Sequence, residues 1–230
     1  GLNAHTTTDV KPTGKDNELS VVSNLRGDIE VRSVYRHPNK GVIKHVDLYW
    51  SGDRIMFSSA GKAGRWAVLD VDRKGEDLRE LTPSDQPDVH WFDACYLPEE
   101  NYIVTCSTAG MQGLPCENGS KPMVNLYRVN VETKAARQLT FEQDSDWHPR
   151  VLPNGKVMYL RWEYTDTPHY FSRYLFHMNP DGTGQIELWG SGSYFPTAYV
   201  WARPIPGTRS RIIGIVGGHH AKSETGRLLM

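Results

Sequence analysis

Cysteine is scarce in this chain of 230 residues: Cys95, Cys106 and Cys116 are the only three. An odd number leaves at least one thiol unpaired within the chain and offers no disulfide framework. No apolar run approaches the ~20 residues of a membrane span. Neither sign of charge dominates, with a formal net charge of −1, and no Lys/Arg block exists. A nucleic-acid backbone needs clustered basic residues, so nucleic acid is not an expected partner. Local chemical signatures are missing too: there is no CxxC, CxxCH, HExxH, GxSxG, P-loop or GxGxxG. Nor does any window keep apolar residues at i, i+3, i+4 and i+7 through three turns, so helix is expected to be nearly absent. Gly1 stands where Met would be and reads as a trimmed terminus, so the missing signal peptide says little about compartment.

What the chain has is turns and aromatics: 21 Gly, 14 Pro, 11 Tyr and 7 Trp. They are organised around residues 144–190, which read as four short strands. WHPRVLP runs into Asn154-Gly155, a dipeptide suited to a two-residue type I′ hairpin. KVMYLRWE follows, then the loop YTDTPHYFS, the strand RYLFHMN, the turn Pro180-Asp181-Gly182 and the strand QIELWG. Four antiparallel strands in about 45 residues is the unit of a β-propeller. The unit recurs at Val46–Thr82 and at 92–140, the two copies sharing a terminal Leu-Thr pair (81–82 and 139–140), and a further copy opens at Val200. The expected fold is therefore all-β, a propeller of four-stranded antiparallel blades, incomplete within this chain. Residues 1–27 read as a polar leader or linker. Residues 28–230 read as the propeller domain, with repeats at about 43–86, 87–141 and 142–192 and a partial one at 193–230. A run of hairpins in an all-β sandwich is the competing fold.

Tight turns joining strands one to two and three to four lie on one face of such a propeller. The two-to-three loops and the links between blades then share the other face, and loops on a rigid scaffold are where function concentrates. That face is expected to carry Cys116, Asp144, Asp146, His148, Glu163, Asp166, His169, His219 and His220, with Arg161 beside them. Acids and imidazoles converging from several blades suit a divalent metal or an acid/base set. A metal, zinc above all, would be held by a subset of Cys116, His148, His169, His219 and His220; an empty polar pocket is the other expectation. Each residue also has a plain structural reading. Asp144, Asp146 and Asp166 satisfy backbone N–H groups near turns, and Trp147, Trp162 and Trp189 fill the wedge between sheets. Arg161 and Glu163 share a strand face and form an ion pair or clamp a substrate. Arg26-Gly27-Asp28 is first of all a turn, and Asn118-Gly119-Ser120 is a glycosylation sequon only in a secreted eukaryotic protein.

The run DSDWHPRVLPNGKVMYLRW resembles the TolB-type, WD-like propeller repeat, in which an Asp-rich link precedes Trp-x-Pro, a Pro-(Asp/Asn)-Gly turn and an apolar strand. The longer run LTFEQDSDWHPRVLPNGKVMYLRWEYTDTPHYFSRYLFHMNPDGTGQ, with CYLP before it and GGHH after it, is similar to bacterial proteins related to the alpha subunit of hydrazine synthase. The resemblance implies an exported bacterial protein, periplasmic or extracellular, whose propeller is often part of a longer chain. It also implies covalent haem and zinc in hydrazine synthase itself. Without Cys-x-x-Cys-His this sequence has no covalent haem site, so that activity does not transfer.

Three functions follow as expectations, two of them with a site on the long-loop face. One is a non-enzymatic binding or scaffold module that takes a protein partner, a glycan or a peptide on the long-loop face, the partner being another chain or the rest of a longer one. The other is a fragment of a metal-dependent or haem-partnered enzyme with its site on the same face. A module that merely spaces other domains is a third.

Overall fold

A computed structural model describes residues 11–115, 118–162, 173–190, 196–217 and 226–230. Among them every named element is a strand, and no helix is long and apolar enough to cross a membrane. The strands fall into antiparallel sheets in simple chain order. The first sheet holds β3 (Lys44–Leu48), β4 (Arg54–Ala60), β5 (Trp66–Asp72) and β6 (Arg79–Glu80). The second holds β7 (Trp91–Tyr96), β8 (Tyr102–Ser107), β9 (Asn125–Asn130) and β10 (Ala136–Gln138). The third holds β11 (Asp146–Val151), β12 (Val157–Trp162), β13 (Arg173–Met178) and β14 (Ile186–Trp189). A fourth, of β15 (Ala198–Pro204), β16 (Ile212–Gly217) and β17 (Arg227–Leu229), touches the third through one parallel bridge, Arg173 to Ala198. This is a partial β-propeller. Ahead of it, β1 (Glu18–Ser23) pairs with β2 (Glu30–Arg36), so the boundary expected at residue 27 falls within their connecting turn.

The turns explain the regular order. Gly155 has φ 82° and donates its N–H to Leu152 O, while Leu152 N–H bonds to Lys156 O. Asn154 is not in the left-handed region, so the turn is not the type I′ that its dipeptide suggested. Pro153, with its fixed φ, sits at the second position of a type I turn, and Gly155 takes the following left-handed position. The same geometry recurs at Asn179–Gly182, where Gly182 has φ 87° and donates to Asn179 O. The repeated Leu-Thr pairs also share one job. Leu81 N–H donates to Val68 O and Thr82 Oγ1 accepts from Val68 N–H; Leu139 and Thr140 do the same with Leu126. Each pair thus ends the outer strand by satisfying both backbone groups of one residue on the third strand.

Apolar faces of neighbouring sheets close the core. Met56, Val68 and Leu81 of the first sheet meet Trp91, Ala94, Ile103 and Val129 of the second. A larger cluster joins Val104, Cys106 and Leu126 to Trp147, Met158, Leu160, Trp162 and Val200. Trp147 and Trp162 are both buried, and the Arg173 guanidinium lies over both indoles. β1 and β2 cover the other face of the first sheet through Leu19 and Val34, against Phe57 and Val71.

Candidate functional site

The first strand of each of the four propeller sheets is irregular at one place, and always the same place. Register shifts fall between Lys44 and Asp47 on β3, Phe92 and Ala94 on β7, Trp147 and Arg150 on β11, and Val200 and Arg203 on β15. Inside each bulge one non-glycine residue takes a left-handed conformation: His45 (φ 53°), Asp93 (φ 49°), His148 (φ 54°) and Trp201 (φ 57°). Such a conformation costs roughly 1–3 kcal/mol and persists only where the surroundings impose it. A bulge re-aims its side chain out of the normal alternation. Here four repeats use it to bring four side chains together.

The four make one cluster. His148 Nδ1 bonds to Asp93 Oδ2, and Arg150 Nη1 donates to Asp93 Oδ1 at 3.1 Å. The His148 ring packs on Trp201 with centroids 4.1 Å apart, and His45 stacks on Trp201 at 5.6 Å. His45 Nδ1 lies 3.1 Å from Ser58 Oγ, which also accepts the Asp93 N–H at 2.9 Å. Beside them Arg203 binds Asp47 at 3.1 Å and Val46 O at 2.7 Å, tying β15 to β3. Burial holds the His45 pKa down to about 3, so that imidazole is neutral at ordinary pH. Burial also works against the Asp93 charge, but the Arg150 guanidinium and the hydrogen bond from His148 outweigh it and hold the carboxyl well below its usual range. The Cys95 and Cys106 thiols nearby are pushed up by burial and are unreactive for that reason.

Of the residues expected on the long-loop face, Asp144 is buried in the link ahead of β11, and the rest divide in three. Asp146 begins β11 and is fully buried; Arg161 of β12 forks onto it, Nε to Oδ1 at 2.9 Å and Nη2 to Oδ2 at 3.1 Å. Burial pushes the Asp146 carboxyl up despite that fork. Glu142 stands 3.6 Å from the same guanidinium, so carboxylates from the inter-blade link and β11 already occupy Arg161. His148 lies not in a loop but within β11, buried in the axial cluster. Cys116, Glu163, Asp166, His169, His219 and His220 lie outside the described residues. Among the described residues no group of three His, Cys, Asp or Glu side chains is placed to hold a metal ion. On the opposite, tight-turn face, a concavity of about 700 Å³ is lined by Leu48, Trp50, Pro153, Pro204, Ile205 and Pro206.

Reading the sequence for chemistry on loops found His148 and missed His45, Asp93, Arg150 and Trp201. The signal was present: KHV, FDA, WHP and VWA, each with the bulged residue in the middle, stand at the start of a repeat, roughly 50 residues apart. Because the matched position is His in two repeats, Asp in one and Trp in another, no single residue type marks it.

No protein-family model matches this chain, and no curated protein sequence matches it. Solved structures do. Hydrazine synthase of Kuenenia stuttgartiensis aligns with a TM-score of 0.66 at 12% identity, over 81% of this chain and 30% of that one. TolB from Acinetobacter baumannii aligns at 0.52 and 13% identity, over 92% of this chain and 53% of that one. A puromycin hydrolase aligns at 0.55 and 15% identity, over 82% of this chain and 27% of that one. This chain thus spans under a third of the hydrazine synthase chain. At such identities the likeness is one of fold alone, and the fold is the β-propeller of the TolB and hydrazine synthase structures.

Proposed function

We propose that this chain is a non-enzymatic β-propeller binding module of an exported bacterial protein, working in the periplasm or outside the cell. It takes a protein partner, a peptide or a glycan on the long-loop face. The observation that supports this is the strand order: in every sheet consecutive strands pair, which gathers the two-to-three loops and the inter-blade links at one end of a rigid scaffold. Two large apolar side chains stand exposed there, Met111 in a two-to-three loop and Phe141 in a link. Screening the purified chain on peptide and glycan arrays tests the reading. Phe141→Glu and Met111→Glu are expected to weaken the strongest hit at least tenfold, and Trp50→Glu on the tight-turn face to leave it unchanged. Loss with Trp50→Glu alone overturns the assignment of face.

A second reading is a fragment of a metal-dependent or haem-partnered enzyme, favoured by the TM-score of 0.66 to hydrazine synthase. In that reading a subset of Cys116, His148, His169, His219 and His220 supplies the zinc ligands. His148 Nδ1 is committed to Asp93, which leaves Nε2 as its ligating atom. Elemental analysis of protein purified without chelator checks it: a stoichiometric metal lost in His169→Ala and His219→Ala supports the enzyme, and none sets it aside.

A further inference from the structure

The axial cluster contains two nitrogens that its own hydrogen bonds leave out. His45 and His148 are 7% and 6% exposed, and neither Nε2 meets a hydrogen-bond partner among the described residues. In both rings Nδ1 is already held, by Ser58 in one and by Asp93 in the other. The Asp93 carboxylate only accepts, so the hydrogen of that contact sits on His148 Nδ1. A neutral His148 then presents an acceptor at Nε2. Ser58 Oγ takes the Asp93 N–H and has its own hydrogen to give. When that hydrogen goes to His45 Nδ1, the neutral His45 ring carries its proton on Nε2 and presents a donor.

A buried polar atom without a partner is costly, and here the chain repeats a strained bulge in order to place two of them. The surroundings select what meets them. The burial that keeps His45 neutral also penalises a cation, and among the described residues no group of three ligating side chains is gathered to hold one. An anion would face the Asp93 carboxylate, whose charge already engages Arg150. An apolar occupant would leave both nitrogens unmet. What remains is a neutral molecule that both donates and accepts.

We propose that the propeller axis is a binding site for neutral hydroxyl groups, hydrogen-bonded to His45 Nε2 and His148 Nε2 against the indole of Trp201. The hydroxyl is water in the resting protein, or belongs to a polyol that enters the axis. The site stands independently of the partner that a binding module takes on its long-loop face, and it excludes zinc at His148 Nε2.

A crystal structure of the unmodified chain at about 1.5 Å or better, grown and frozen without polyols, tests it directly. Ordered oxygen is expected within about 2.7–3.2 Å of both Nε2 atoms. Bare nitrogens, a protein group at each, or an anomalous metal signal overturns the proposal. In solution, oxygen-17 relaxation dispersion counts long-lived internal water. His45→Phe, which keeps a ring on Trp201, is expected to remove at least one such water, and an unchanged count overturns the proposal. Titration with glycerol and glucose separates the two sources: a saturable shift of the histidine Nε2 resonances assigns the hydroxyl to a polyol, and unmoved resonances with retained internal water assign it to water.

Discussion

Asp93 is the residue on which the axis depends. It is 1% exposed, carries a charge, and is held by His148, by Arg150 and through its N–H by Ser58. Removing one partner of a buried pair leaves the other uncompensated, at roughly 3–5 kcal/mol. Asp93→Asn is therefore expected to cost that much in urea unfolding, whereas Asp77→Asn, at the exposed end of its contact with Arg54, costs under about 1 kcal/mol. His45 gives a second prediction, read from pH. Its folded pKa of about 3 lies below the ordinary 6.5, so between those values the unfolded chain binds a proton that the folded chain refuses. The stability this group supplies is full above about pH 6.5 and is lost as pH falls toward 3. Asp93, His148, Lys44 and Arg150 all act on the ring, so the comparison is made against His45→Phe at each pH. The stability of the wild type relative to the variant is expected to fall by on the order of 3 kcal/mol from pH 7 to pH 4. An equal slope in both proteins would show that His45 is not held neutral.

At the scale of elements, the Leu-Thr pairs show how a strand ends. Thr140 Oγ1 accepts from Leu126 N–H at 3.0 Å and bonds Asn125 Oδ1 at 3.1 Å, with no exposure. Thr140→Val keeps the shape and orphans a buried N–H, so unfolding free energy should drop by about 1–3 kcal/mol. Thr82→Val is expected to do the same through Val68. A drop at one site and none at the other would mean that the repeats are not equivalent there. The wedge residues are a harsher case: Trp162→Ala removes a buried indole between sheets and should cost about 3–5 kcal/mol. Gly75 marks where β1 and β2 join, since a Cβ there would lie 2.5 Å from Val34 O at φ 93°. Gly75→Ala is expected to loosen that sheet first, seen as faster hydrogen exchange across β1 and β2 than across β7 to β9.

At the scale of the whole molecule, sheets packed face to face are also tied by polar links. Arg203 to Asp47 and Val46 O joins the fourth sheet to the first across some 150 residues of chain, and the arginine side chain is 43% exposed. A half-exposed ion pair contributes little by itself. A double-mutant cycle at Arg203 and Asp47 should therefore return a coupling of about 1 kcal/mol or less. A much larger value would show that this link, and not the apolar wedge, holds the fourth sheet in place.

The sequence by itself determined the strands, their order and their turns, because these are local properties: Pro-Asn-Gly and Pro-Asp-Gly set backbone angles where they stand. Alternating apolar residues decided which faces would be buried, and Trp147 and Trp162 fell where that pattern put them. The turn type at Asn154 was misjudged, since Pro153 one place earlier fixes a different pair of angles. The site lay beyond this local reading. His45, Asp93, His148 and Trp201 are three residue types at one matched position, and they meet only because four bulges turn them out of register onto one axis. Which carboxylate Arg161 pairs with was equally a matter of register, since Asp146 stands opposite it on the neighbouring strand. Contacts between residues roughly 50 positions apart depend on how twisted sheets stack, and a linear pattern with period two does not specify that.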